Sequence, residues 1–190
     1  MDKNKAKNMY HFDATKPVLA ILGGSQGSVP FNRHFHNNFK KYIKSNIQIL
    51  WQCGKADFSD LKELNKYQDI HILPFTENMD VFYSAADLVV SRAGALALSE
   101  MALLGKAMVI IPLPKSAGNH QTMNAQTFAQ TGCAILVHQT SMASGSLEQV
   151  VLELIQNSQK IDLMETNCQK IGIPNATEKI TTLIMEIAEG

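Results

Sequence analysis

Val18-Leu19-Ala20-Ile21-Leu22-Gly23-Gly24-Ser25-Gln26-Gly27 is an unbroken apolar run that ends in a cluster of glycines. Five apolar residues without alternation fit a strand buried on both faces, which is the habit of parallel sheets. The glycines then predict a tight strand-to-helix turn. The same grammar repeats outward from this stretch. The pattern predicts a helix over 30–44, strands over 47–53 and 70–74, a short helix over 79–86 and a strand over 87–90. A helix over 95–104 follows, stopped by Gly105 just past its end. A strand over 108–111, a helix over 119–131, a strand over 134–137 and a helical C-terminal region from 146 complete the series. Pro174 sets off a last helix over 176–188. Strands alternating with helices imply an α/β fold, a Rossmann-like parallel sheet of about six strands with helices on both faces.

Composition agrees with a globular chain: of 190 residues, 45% are hydrophobic and 18% charged. Seventeen basic residues balance seventeen acidic ones, so no basic footprint for nucleic acid exists. Cys53, Cys133 and Cys168 are odd in number and widely spaced. They predict neither a disulfide framework nor a zinc site, and a reduced cytoplasmic setting fits them. No apolar run reaches the roughly 18 residues of a spanning helix. Residues 1–15 open with a polar, lysine-rich stretch and are expected to be a frayed tail or linker remnant, leaving 16–190 as one domain.

In parallel sheets of this kind, ligands sit beyond the carboxyl ends of the strands. The glycine loop, Phe75-Thr76, Arg92 to Ala95 and Lys115 to Gln121 all fall at those ends. The loop Gly24-Ser25-Gln26-Gly27 lacks the lysine and Ser/Thr of a P-loop, and it is not GxGxxG. Trp51-Gln52-Cys53 offers no acid for a dinucleotide ribose, which disfavours nicotinamide or flavin dinucleotides. Backbone N–H groups and the Ser25 hydroxyl remain free to approach a phosphate, since glycine places no side chain in the way. Gly94, Ala95 and Leu96 open a helix whose N-terminal dipole attracts an anion.

Glu100, about one and a half turns into that helix, has two readings. It is either a solvated or capping side chain on the outer face, or a carboxylate that accepts both hydroxyls of a ribose. Asn119 is a candidate N-cap for His120-Gln121. Those side chains are either exposed and polar or hydrogen-bonded to sugar hydroxyls. Phe75-Thr76 follows a strand and is placed to supply backbone polar groups and stacking to a base; without further support, Phe75 reads as core. Arg92 pairs with a phosphate or with a local carboxylate. His34 and His36 lie on different faces of their helix, so a shared metal is not expected. His11, His71 and His138 read as structural.

Several of these residues, in this order, resemble the C-terminal half of the MurG family of bacterial N-acetylglucosaminyltransferases. They are Gly23 to Gly27, the run Ala86-Asp87-Leu88-Val89-Val90-Ser91-Arg92-Ala93-Gly94-Ala95-Leu96 with Ser99-Glu100, then Asn119-His120-Gln121 and Asn124-Ala125. Gly172-Ile173-Pro174-Asn175-Ala176-Thr177 is similar to the family's tail. The resemblance runs from about Lys16 to the end. It implies one half of a GT-B glycosyltransferase, the donor domain that binds UDP-GlcNAc without cofactor or metal. Implied roles are the glycine loop and Ala95, Leu96 and Ala97 at the diphosphate, Thr76 at uracil through its backbone, Glu100 on the ribose, and His120 and Gln121 at the GlcNAc hydroxyls. Ala97 stands where the family can carry threonine, and His120 where it can carry glutamine.

The resemblance further implies an inverting hexosyltransferase that makes lipid II from lipid I, inactive without an N-terminal acceptor half that carries the general base. That enzyme would work in the cytoplasm at the inner face of the membrane. The alternatives are a natural donor-binding subunit of a split UDP-GlcNAc-dependent transferase, a non-catalytic nucleotide-sugar-binding module, and a nucleotide-sugar epimerase half.

Overall fold

The computed structural model describes residues 1–189. Six parallel strands form one sheet in the order β3-β2-β1-β4-β5-β6. They are β1 (Val18–Leu22), β2 (Gln48–Gln52), β3 (Ile70–Leu73), β4 (Leu88–Ser91), β5 (Met108–Ile110) and β6 (Ala134–Leu136). The chain winds outward from β1 to β3, then returns to β4 beside β1 and winds the other way. The order therefore reverses between β1 and β4, and a crevice opens there beyond the strands' carboxyl ends.

Nine α-helices are described: α1 (Lys3–Met9), α2 (Val29–Lys44), α3 (Phe58–Leu61), α4 (Met79–Ala85), α5 (Ala95–Leu103), α6 (His120–Gln130), α7 (Ser146–Ile155), α8 (Ser158–Ile171) and α9 (Ala176–Glu189). Short 3-10 turns cover Lys62–Lys66, Ala117–Asn119 and Gln139–Ser144. Alternate residues of β1 feed two separate cores. Leu19 and Ile21 pack with α2 and α7, whereas Val18, Ala20 and Leu22 pack with α1, α4 and α5. Helices thus cover both faces, as the apolar runs predict.

Helix α2 shows how the sequence builds a layer. Pro30 sits in its first turn, where the missing N–H costs nothing. Phe31, Phe35, Phe39 and Tyr42 recur at helical spacing and are all buried against β1 and β2. Each such ring contributes about 1.5–3 kcal/mol through burial.

The N-terminal expectation needs correction. Residues 1–15 are not a frayed tail: α1 packs onto α4, with Ala6, Lys7 and Phe12 buried. Asp87 anchors this segment. It binds Lys3 Nζ at 2.8 Å and Lys7 Nζ at 3.0 Å, and accepts the Val18 N–H at 2.8 Å. The long apolar stem of a lysine can be buried once its ammonium meets a carboxylate, so the residues that read as a polar tail form a packed layer. The domain expected over 16–190 ends at Gly190, outside the described residues.

Candidate functional site

The glycine loop is pressed against the end of β2. Gly27 has φ +80°, and a Cβ there would lie 2.0 Å from the Cys53 carbonyl oxygen. Gly54 makes the reciprocal approach, 2.2 Å from the Gln26 carbonyl oxygen. Only glycine fits either position. The Gln26 side chain is exposed while its backbone forms this contact.

Arg92 follows β4 and is 7% exposed. Its Nη2 donates to Ser28 Oγ at 2.8 Å and to Gln139 Oε1 at 2.7 Å. Its Nη1 donates to the carbonyls of Ile111 and Pro112, and the guanidinium lies 4.3 Å from the Phe31 ring centroid. No carboxylate pairs with it among the described residues. Burial lowers its pKa only to about 10, so it stays charged at neutral pH. The choice between a phosphate and a local carboxylate is thus narrowed: the guanidinium is held by neutral groups.

Arg92 lines a cavity of about 490 Å³ together with Gly24, Gly27, Ser28, Gly94 and Gln121. Two helices begin on it. Gly94 and Ser28 are the N-cap residues of α5 and α2, and neither supplies a side-chain cap. The first N–H groups of both helices are therefore without side-chain acceptors at a buried cation, an environment suited to an anion.

A second cavity of about 480 Å³ shares Leu22, Gly24, Gly94 and Ala97 with the first. Its far side holds Ser25, Phe75, Thr76, Tyr83, Leu96 and Glu100. Glu100 is exposed, and its carboxylate lines this cavity. The Tyr83 hydroxyl lies 3.5 Å from Glu100 Oε2. Burial, reinforced by Glu100, pushes the Tyr83 hydroxyl's pKa upward, so it remains a donor. Phe75 is 44% exposed rather than core, because the residue after β3 leaves the sheet at its rim. Leu96 is 82% exposed at the start of α5. Ser25 lines this cavity and not the one around Arg92.

One amide joins the two sides. Gln52 Oε1 accepts the Thr76 N–H at 3.0 Å, while its Nε2 donates to the Gly24 carbonyl at 3.2 Å. The backbone N–H of Thr76 is thus already engaged. Gln121 Oε1 accepts the Leu113 N–H at 2.9 Å, and Asn124 Nδ2 donates to the Ala93 carbonyl at 3.1 Å. Asn119 does not cap α6 with its side chain. It is left-handed (φ 55°), and the Gln121 N–H is met by Ser116 Oγ at 3.2 Å instead. The 3-10 turn over Ala117–Asn119 runs directly into α6, which leaves Asn119 no extended N-cap geometry. His120 is exposed, its Nδ1 against the Ala117 carbonyl. Neither Asn119 nor His120 lines either cavity.

Sequence reading missed Ser28, Tyr83, Gln139 and the bridging role of Gln52. Gln52 carries a usable signal, a polar residue at the carboxyl end of an otherwise apolar parallel strand. Tyr83 carries none beyond the periodicity of α4. Among the described residues, no three His, Cys, Asp or Glu side chains are grouped to hold a metal ion.

Residues 18–180 match the glycosyltransferase family 28 C-terminal domain. The chain belongs to that family. Family 28 relatives include the UDP-N-acetylglucosamine--N-acetylmuramyl-(pentapeptide) pyrophosphoryl-undecaprenol N-acetylglucosamine transferase of Flavobacterium psychrophilum. It is 36% identical over 187 residues, 98% of this chain and 51% of the relative. The protein of the same name from Cytophaga hutchinsonii is 35% identical over 171 residues, 90% of this chain and 46% of the relative. The chain thus spans about half the length of these curated relatives. The crystal structure of Acinetobacter baumannii MurG superposes with a TM-score of 0.77 at 31% identity, covering 98% of this chain and 53% of that one. A glycosyltransferase of kitacinnamycin shares the fold at 19% identity, with a TM-score of 0.67. The family 28 assignment agrees with the expected α/β, GT-B half-molecule. Among the described residues, no helix is long and apolar enough to cross a membrane.

Proposed function

We propose that this chain is the UDP-GlcNAc-binding half of the transferase that adds GlcNAc to the N-acetylmuramyl-(pentapeptide) pyrophosphoryl-undecaprenol acceptor in peptidoglycan synthesis. The supporting observation is the polarity of the joined trough. A carboxylate, Glu100, stands at one end, and a buried cation with two uncapped helix N-termini stands at the other. A nucleoside diphosphate sugar has the complementary order: base, ribose diol, then two phosphates. Phe75 and Thr76 flank the base, Glu100 accepts the ribose hydroxyls, and the N–H groups around Gly24, Gly94 and Ala95 meet the diphosphate. Gln121 lies toward the sugar, with Asn119 and His120 on the adjacent rim.

Transfer with inversion breaks the bond between C1 of GlcNAc and the β-phosphate oxygen and forms one to the acceptor's C4 hydroxyl oxygen. The hydroxyl proton passes to a base on the other half of the enzyme. The bonding electron pair leaves with UDP. The helix dipoles, the loop N–H groups and the nearby Arg92 charge stabilise that departing anion in place, which lowers the barrier without solvent reorganisation. Membrane contact, at the inner face, belongs to the acceptor half.

Calorimetric titration with UDP-GlcNAc, UDP, GDP and NADH tests this reading. Selective binding of the uridine nucleotides, tighter with the GlcNAc sugar, is expected. A folded sample that binds GDP or NADH as well as UDP-GlcNAc would overturn it.

A further inference from the structure

Gln139 opens the 3-10 turn that follows β6, and it lines the trough beside Arg92. The sheet dictates that meeting. Ser91 of β4 pairs with Ile110 of β5, and Ile110 pairs with Leu136 of β6, so three parallel strands end at one level of the rim. Arg92, the carbonyls of Ile111 and Pro112, and Gln139 lie just beyond those ends. Ser28, at the start of α2 after β1, completes the ring of groups around the guanidinium.

Gln139 Oε1 stands 2.7 Å from Arg92 Nη2, the shortest of the four bonds that the guanidinium donates. Four acceptors match the four Nη hydrogens, so that end of the guanidinium is saturated. Every acceptor is a neutral oxygen: a side-chain amide, a hydroxyl and two peptide carbonyls. The Phe31 ring, 4.3 Å away, does not neutralise the cation either. Buried charges are ordinarily paired, and a carboxylate would meet the same hydrogens at the same distance with more strength. Gln139 has the shape of a glutamate without its charge. Half-buried at the cavity wall, it anchors the cation and leaves the field inside the cavity undiminished.

We propose that Gln139 is a positioning and specificity-determining residue: it fixes Arg92 at the trough wall and leaves the whole positive charge for a ligand's diphosphate. The ligand assignment rests on the transferase reading above. A carboxylate in this place would pair with Arg92 and present a neutral wall to the diphosphate. A purely structural hydrogen bond would be served as well by that carboxylate, whereas a charge-sparing one would not. Gln139→Glu therefore separates the two roles. It keeps the size, the acceptor oxygen and the bond to Nη2, and it removes the net charge.

The test is calorimetric titration of the 190-residue chain and its variants with inorganic pyrophosphate, UDP, UMP and uridine, alongside thermal melts. Gln139→Glu should melt no lower than the parent. It should lose at least about tenfold in affinity for pyrophosphate and UDP, less for UMP and nothing for uridine. Gln139→Met removes the acceptor and spares the charge, so it should melt lower yet lose no more than about threefold toward UDP. A folded Gln139→Glu chain that holds UDP within about twofold of the parent overturns the role given to Gln139, as do equal losses for UDP and uridine. Should Gln139→Glu fail to fold, Gln139→Met decides. A loss toward UDP of about tenfold or more in that variant would show that the hydrogen bond matters and the spared charge does not. A parent chain that binds pyrophosphate but prefers no uridine nucleotide loses the donor reading, while the Gln139 comparison on pyrophosphate still stands. A parent that binds none of these ligands overturns both.

Discussion

Arg92 Nη2 reaches Ser28 Oγ across 2.8 Å and so ties the end of β4 to the first turn of α2. This bond spans the point where the strand order reverses. It holds a guanidinium, buried and without a carboxylate, beside the loop that the sequence marks with glycines.

Arg92→Met tests what that charge does. The substitution leaves Ser28 Oγ, Gln139 Oε1 and the Ile111 and Pro112 carbonyls without this donor, so stability should fall by about 1–3 kcal/mol while the fold is kept. UDP affinity should fall at least tenfold, about 1.4 kcal/mol, with a smaller loss for UMP. Calorimetry on both nucleotides checks this, and equal losses for the two would remove Arg92 from the diphosphate end.

Glu100→Ala should weaken uridine-nucleotide binding by about 1.5–3 kcal/mol, the scale of hydrogen bonds to a charged group. Tyr83→Phe removes only the long contact to Glu100 Oε2 and should cost less. Titration of both variants with UDP and 2′-deoxy-UDP provides the comparison. A ribose partner makes Glu100→Ala nearly silent toward the deoxy ligand.

Gly27→Ala should lower stability by at least about 2 kcal/mol, since the left-handed conformation alone costs roughly 1–2 kcal/mol in other residues. The added methyl also meets the Cys53 carbonyl at 2.0 Å. Urea denaturation reads the loss. A midpoint equal to the parent's would mean that the loop relaxes freely away from β2.

Asp87 gives the pH dependence a sign. Burial pushes its carboxyl up, but Lys3, the Val18 N–H and Lys7 together bring it below its ordinary 3.8. A carboxyl whose pKa is depressed on folding stabilises the fold above its unfolded value, and that stability is lost as pH falls through the folded value. Denaturant midpoints should hold down to about pH 4 and drop below it through this group. Asp87→Asn should be less stable at pH 7 and should flatten the acid limb. An unchanged acid limb would assign acid sensitivity elsewhere.

The sheet was legible because parallel strands advertise themselves as unbroken apolar runs, and all six sit within a residue or two of their expected bounds. The rim was legible for the same reason, since strand ends fix where loops converge. Helix α1 was not, because its burial depends on ion pairs with Asp87, distant in sequence. Phe75 misled because an aromatic after a strand reads as core until the chain's exit direction is known. Asn119 has the right residue type for a cap, yet the preceding 3-10 turn decides its backbone. The contact between Glu100 and Tyr83 was not legible either, because it depends on the rotation of α5 against α4, a tertiary fact.

The Gln52 carboxamide holds the Gly24 carbonyl with one end and the Thr76 amide with the other. Loops from opposite sides of the trough therefore share a single rigid tether. Anything that settles against Thr76 also orders Gly24, so the entropy spent at one end need not be spent again at the other. Uridine and pyrophosphate, offered as separate fragments, should consequently favour each other's binding.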